Sequence, residues 1–257
     1  MQEKTWLVLA LVAAAVVAYL PAPALAEEGE FRLSPYIWVA GFTGTLGVPT
    51  SGGTVPGWSG DRLDVTFGNL SDNLKLTGAA MLSAEWRKGQ WSVFGNWVYV
   101  GLESSTASSL SPLYTNVEGK LRGNIGQGNV GYRLYGSDVT RLDAYGGVRY
   151  YDLEIGATLT AGLLEAVNQS GKDTWVDGLA GLRLEQAITE RWRLTLMGDV
   201  GAGGSAHAQQ AIVTFGYQTS WGAIGGGWRV LRVDHTTDDF RLDATISGSL
   251  LGATFKF

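Results

Sequence analysis

The chain has 257 residues, with 37 glycines, ten tryptophans, ten tyrosines, six prolines and no cysteine, and a formal net charge of −5. Without cysteine a disulfide framework and a thiolate metal site are excluded, and a lipoprotein anchor is not expected. The mild acidity argues against a nucleic-acid partner, and no cofactor or metal site is called for.

Residues 7–20 form an apolar run, followed by Pro21, Pro23 and the small-residue site Ala24-Leu25-Ala26. That order matches a secretory signal peptide, so 1–26 is expected to be removed and 27–257 to be the mature domain. Beyond it no apolar run approaches the ~20 residues of a transmembrane helix. High glycine, high aromatic content and alternation fit a membrane β-barrel. A soluble sandwich or lipocalin-like barrel shares this composition, with its apolar face turned inward.

The first predicted strand, 31–44, puts Phe31, Leu33, Pro35, Ile37 and Val39 on one face, opposite Arg32, Ser34, Tyr36 and Trp38. Residues 45–73 read as a long irregular outer loop. The second strand, 74–87, alternates most cleanly: Leu76, Ala80, Leu82, Ala84 and Trp86 toward lipid, Lys75, Met81, Ser83 and Glu85 inward. The third, 91–102, is apolar on both faces and its phase is open. An outer loop at 103–116 leads to a fourth strand, 117–134, where Gly123, Gly126 and Gly128 suggest a bulge or bend.

The fifth strand, 141–155, sends Leu142, Ala144, Val148 and Tyr150 out and Asp143, Tyr145, Arg149 and Tyr151 in. After an outer loop at 156–172, the sixth, 173–186, sends Val176, Ala180, Leu182 and Leu184 out and Asp177, Arg183 and Glu185 in. The seventh, 191–201, places Trp192, Leu194, Leu196 and Val200 outside and Arg193, Thr195, Met197 and Asp199 inside. A short loop, 202–209, precedes the eighth and ninth strands at 210–217 and 221–233. The last outer loop holds Asp234, His235, Asp238 and Asp239, and the tenth strand, 240–257, ends on Phe255-Lys256-Phe257.

The expected fold is therefore an all-β, antiparallel transmembrane β-barrel of ten strands, or of eight if the eighth and ninth are miscounted, with short periplasmic turns and longer extracellular loops. An even count puts both termini on the periplasmic side of a Gram-negative outer membrane. Short turns fall after even strands, and Trp86, Trp91, Trp192 and Trp221 sit beside them, where a membrane-interface girdle belongs. Such a barrel meets outer-membrane lipids and lipopolysaccharide.

Ten strands spaced ~4.8 Å apart and tilted about 40° give a backbone radius of roughly 10 Å. The expected lumen lining is Lys75, Glu85, Asp143, Arg149, Asp177, Arg183, Glu185, Arg193 and Asp199, and the predicted interior also carries Arg122, Arg241 and Asp243. An unpaired charge there is costly, so ion-pair networks are expected. The role follows as a structural barrel filled by mixed charge, or a porin-like narrow channel for small solutes.

The segments SPYIWVAGFTGTLG (34–47), TFGNLSDNLKLTGAAMLSAEWRKGQWSV (66–93), GGVRYYDLE (146–154) and WVDGLAGLRLEQAITERWRLTLMGDVGAGG (175–204) resemble a family of small, mostly uncharacterised Gram-negative outer-membrane β-barrel proteins. The resemblance implies fold and location and carries no catalytic residues. The terminal Phe257, with Phe255, resembles the assembly signal read by the barrel-assembly machinery, a transient partner.

Three other functions have some footing. His207, His235, Asp234, Asp238 and Asp239 near the outer rim are similar to the acid/base residues of omptin-type proteases, but Asp61 and Asp64 do not supply a matching second aspartate pair. A lipid-modifying hydrolase would need a serine in an elbow context, which is missing, so no enzyme is expected. The acidic last loop has oxygen ligands for Ca²⁺ or bridged lipopolysaccharide without a defined spacing. The Ser/Thr-rich outer loops suit adhesion or surface binding.

Overall fold

A computed structural model describes residues 29–49, 62–67, 74–107, 114–238 and 240–257. The expected signal peptide at 1–26 lies outside the described residues. The strands are β1 (Glu30–Pro49), β2 (Arg62–Phe67), β3 (Leu74–Lys88), β4 (Trp91–Ala107), β5 (Tyr114–Gly136), β6 (Thr140–Ala161), β7 (Val167–Ala187), β8 (Trp192–Gly203), β9 (His207–Gln218), β10 (Gly222–Thr236) and β11 (Arg241–Lys256).

Each strand pairs antiparallel with the next from β3 to β11, and β11 closes on β1 from Arg32↔Lys256 to Gly47↔Arg241. Ten strands thus form a closed antiparallel barrel, and β2 is an added short strand paired only with the far end of β1. Closure leaves no open sheet edge in hydrocarbon. At the seam Phe31 N–H donates to Phe257 O at 3.2 Å, and Phe257 N–H to Phe31 O at 2.9 Å. The tightest turn joins β3 to β4 through Gly89, whose φ of 57° only glycine adopts freely.

Alternation fixes the facing of every strand. In β7, buried residues fall at Trp175, Asp177, Leu179, Arg183 and Glu185 and exposed ones between them. The open phase of the third strand is settled: Ser92 and Val98 are buried inside, and Trp91 and Trp97 are exposed outside.

Several strands are longer than a bilayer needs. A tilted membrane strand takes about 9–11 residues, whereas β5, β6 and β7 have 23, 22 and 21. Consequently much of what reads as outer loop at 45–73, 103–116 and 156–172 is strand. The outward side chains show where lipid ends. On β7, Leu184, Leu182, Ala180, Gly178 and Val176 give way to Thr174, Lys172, Ser170 and Asn168. On β6, Leu142 to Tyr150 give way to Asp152 and Glu154, and on β5 Val130 gives way to Asn124, Arg122 and Lys120. The register aligns Asn124, Asp152 and Thr174 in one row.

Below this row the wall is apolar outside and polar inside. Above it the pattern inverts. Leu121, Leu153, Ile155, Leu159, Leu231 and Leu242 are buried inside, forming one apolar cluster with Trp38, Phe42 and Val98. Arg122 pairs across strands with Glu154, and Glu154 with Lys172, on the outer surface. The far half of the barrel is a water-facing barrel with its own hydrophobic core, continuous with a membrane-type half.

Two expectations are corrected here. Arg122, Arg241 and Asp243 face outward: Leu121, Leu242 and Ala244 beside them take the interior. Charge suggests the lumen only within the bilayer, and these residues sit above it. The glycines of β5 mark no bulge, because the register runs unbroken from Val117 to Arg133. Gly123 instead makes room, since a Cβ there would run into Leu153.

Candidate functional site

Among the described residues, three polar clusters lie in the interior. The first sits at the end where the termini meet. Glu185 Oε2 accepts from Arg87 Nη1 at 3.0 Å, a second bond joins Arg87 Nη2 to Oε1, and Arg193 Nη1 lies 3.4 Å away. Glu85 lies 2.8 Å from Arg87 Nη2 and 2.6 Å from Arg183 Nη1. Arg183 also donates to Asp143 at 2.9 Å, and Arg141 Nε approaches the same carboxylate at 2.8 Å. Glu185, Asp143 and Arg183 are buried, so the cluster is held by bidentate and shared pairs rather than by water.

A second network lies nearer mid-barrel. Arg149 is fully buried and donates from Nη2 to Asp199 Oδ1 at 2.7 Å, and from Nε and Nη2 to Gln127 Oε1 at 3.0 and 2.8 Å. Asp199 Oδ2 also accepts from Tyr145 at 3.0 Å and from Gln210 at 2.8 Å. Tyr145 can reach across because Gly181 has no Cβ to meet its ring.

A third group caps these at the lipid boundary. Tyr151, Trp175 and His235 stack with centroid separations of 4.7 and 3.8 Å. The His235 ring nitrogens bond Gly204 O at 2.8 Å and Asp173 Oδ2 at 2.9 Å, and Trp175 Nε1 donates to Ser205 at 2.8 Å. Asp177 Oδ1 accepts the Ser205 N–H at 2.7 Å. Replacing His235 with leucine removes two hydrogen bonds and an aromatic stack, and is expected to cost about 1–2 kcal/mol. Urea unfolding of the refolded barrel measures this. No loss would mean that the stack is incidental to the cap.

Between the charged belts and the glycine-rich wall of β9, β10 and β11 is a cavity of about 280 Å³. Phe94, Met197, Ile212 and Leu250 give it apolar surface, and Arg229 lies against it with Gln127 and Gln210. Exposed Lys256 and half-exposed Arg193 also line it, so it opens at the terminus end.

Of the expected lumen lining, Glu85, Asp143, Arg149, Asp177, Arg183, Glu185 and Asp199 are buried inside, and Arg193 is inside at the mouth. Lys75 lies in β3, but its side chain is outside the described residues. Trp86, Trp91, Trp192 and Trp221 are all on the outer surface beside turns, 37–47% exposed. Phe255 and Phe257 are also exposed on the outer surface. The interior as a whole is not a mixed-charge filling: charge occupies the terminus half and apolar side chains the other.

The rim cluster does not assemble. Asp234 and His235 are consecutive residues of β10 and point to opposite sides of the wall. Asp234 lies 3.9 Å from His207 on the outside, while His235 is buried. Asp61 and Asp239 lie outside the described residues, as does the side chain of Asp64. Among the described residues no group of three or more His, Asp or Glu side chains is placed to hold a metal.

The sequence reading missed Arg32, Arg87 and Arg229. Arg87 reads as a turn residue, although it is two positions beyond Glu85 and shares its face. Arg229 follows Gly225-Gly226-Gly227, which erases alternation, but the exposed Trp228 sets its phase inward.

No protein-family model matches the chain, and the search of curated proteins gives no match. Among solved structures, the attachment invasion locus protein Ail of Yersinia pestis is similar at 12% identity, covering 90% of this chain and 100% of its own, with a TM-score of 0.32. The translocator domain of the autotransporter NalP from Neisseria meningitidis is 12% identical, with 99% and 98% covered and a TM-score of 0.35. The transport unit of the autotransporter AIDA-I from Escherichia coli is 10% identical, with 93% and 92% covered and a TM-score of 0.43. At these identities and scores no statement about function passes from them to this chain.

Proposed function

We propose that this protein is a Gram-negative outer-membrane barrel with a structural role, closed to solutes, with its termini in the periplasm and its inverted half projecting from the cell. The exposed apolar belt of Ile37, Val39, Leu182, Val200, Phe215 and Leu251 supports the membrane reading, because a water-facing surface does not carry so large a patch. From Leu142 to Tyr150 the belt spans nine residues, which at ~3.3 Å each and a tilt of about 40° is roughly 23 Å. That matches the ~25 Å apolar band of such barrels. Outward Phe255 and Phe257 fit recognition by the barrel-assembly machinery, and the outward charges above the belt fit contact with lipopolysaccharide.

The observation that carries the closed reading is the apolar core of the projecting half. In β6 beyond Tyr151, Leu153, Ile155 and Leu159 are at most 5% exposed, and the Tyr151–Trp175–His235 stack lies beneath them. An interior packed this way leaves no aqueous path. The refolded protein is expected to give no discrete conductance steps in a planar bilayer, while Leu159→Gly with Leu231→Gly is expected to introduce them. Regular steps from the unaltered protein would sink the closed reading and restore the narrow-channel one.

A second reading, surface binding or adhesion, is favoured by one observation. The projecting half holds a rigid polar wall clear of the lipid, including Arg122, Glu154, Lys172 and Asn168. Rigid elements present a binding surface more reproducibly than loops do.

A further inference from the structure

We propose that the cavity beneath Arg229 is a binding site for a small organic carboxylate with an apolar body, entered from the periplasmic end. The proposal takes its sidedness from the reading above and nothing else. It stands on the charge balance of a half-barrel that the structural role does not explain.

Arg229 is 2% exposed on the cavity wall. Its guanidinium lies over the Trp38 ring at 4.5 Å, and Nη1 donates to Tyr36 Oη at 3.2 Å. None of the described carboxylates forms an ion pair with it, and Nε has no partner. Each of the other deeply buried arginines here, Arg87, Arg149 and Arg183, has a carboxylate within 3 Å. The acid group of the mid-barrel network, Asp199, is already engaged by Arg149, Tyr145 and Gln210. A buried charge without a counter-charge is costly, and a bound anion removes that cost.

The remaining lining leans the same way. Arg32, Arg183, Arg193, Arg229 and Lys256 line the cavity against two lining carboxylates, Glu85 and Glu185, both held by Arg87 and its neighbours, while Arg32 also pairs with Glu30 and Arg183 with Asp143. A mouth lined by cations concentrates anions. Gln127 and Gln210 add unmet hydrogen-bonding capacity: Gln127 Nε2 and Gln210 Oε1 have no partner. Their amides are oriented by their other ends, Gln127 Oε1 by Arg149 and Gln210 Nε2 by Asp199, so a donor and an acceptor are left over. A volume of about 280 Å³ is at the small end of ligand sites, and Phe94, Met197 and Ile212 would cover an apolar body. A free inorganic ion would leave that surface unused.

Benzoate is the probe, titrated calorimetrically into the refolded barrel in detergent, with benzyl alcohol and benzylamine as neutral and cationic counterparts. Saturable benzoate binding at least tenfold tighter than that of either counterpart is expected. Arg229→Gln is expected to weaken it tenfold or more, and Met197→Trp, which fills the cavity and leaves the ion pairs alone, to abolish it. Equal binding of benzoate and benzyl alcohol, or no saturable binding, would overturn the proposal. So would benzoate binding that is unchanged in Arg229→Gln. If Arg229→Gln does not refold to the heat-modifiable form, Met197→Trp decides, and retained benzoate binding there would overturn it as well. A conducting barrel would sink the closed reading while leaving this result intact.

Discussion

Replacing Asp199 with leucine is expected to destabilise the refolded barrel by about 3–5 kcal/mol, the range for removing one partner of a buried ion pair. The carboxylate is the meeting point of three strands: Arg149 and Tyr145 reach it from β6 and Gln210 from β9, while it projects from β8. Its loss strands Arg149, which is fully buried and retains only Gln127. Arg149 then becomes a second buried cation without a counter-charge, beside Arg229. Asp199→Asn should cost less, about 1–2 kcal/mol, because the amide oxygen still accepts a hydrogen bond while the charge is gone. Denaturant unfolding followed by the heat-modifiable gel shift measures both. The double variant Asp199→Leu with Arg149→Met should recover much of the loss, since it removes both charges. If Asp199→Leu costs under about 1 kcal/mol, water reaches the network and the closed-lumen reading loses its footing.

What could be read from the sequence is set by where one rule of alternation holds. Across 141–151, 175–186 and 191–201 the chain alternates within the bilayer, and apolar residues point out. Hence Asp143, Arg149, Asp177, Arg183, Glu185 and Asp199 could be placed inside by parity alone. Beyond the Asn124–Asp152–Thr174 row, solvent replaces lipid and the same alternation means the reverse. There Ile155 and Leu159 turn inward and Lys172 outward. A reading that expects lipid-facing apolar residues sees the Gly- and Thr-rich run from 156 to 172 as loop, and it takes the charges of Arg122, Arg241 and Asp243 as a sign of the lumen. Parity counted back from Phe255 would have put Arg241 and Asp243 outside, because they share its face.

The cavity was less legible for a different reason. Its wall is made of Gly216, Gly225, Gly226 and Gly252, which carry no facing signal of their own. A would-be Cβ at Gly225 meets the backbone of Phe215, and one at Gly252 meets Tyr36, so the glycines let strands and side chains close in. The space they leave is a tertiary property. So is the isolation of Arg229, which depends on carboxylates elsewhere being taken.

Replacing Glu185 with alanine should produce the second largest loss, about 3 kcal/mol, again by leaving buried cations unpaired. This carboxylate is shared among Arg87, Arg193 at 3.4 Å, Arg183 at 3.8 Å and Arg32 at 3.9 Å. Removing it leaves Glu85 as the main counter-charge for Arg87. The effect is placed below that of Asp199→Leu because Arg193 and Arg32 sit at the cavity mouth, where water and salt can partly replace the lost charge. Raising ionic strength should therefore shrink the Glu185→Ala loss and leave the Asp199→Leu loss nearly unchanged. Glu103→Ala is the control. Its pair with Lys120 is 3.9 Å long and solvent-exposed, worth about 0–1 kcal/mol. If Glu185→Ala proves no more costly than Glu103→Ala, the terminus-end cluster is a hydrated collection of charges and the barrel is held without it.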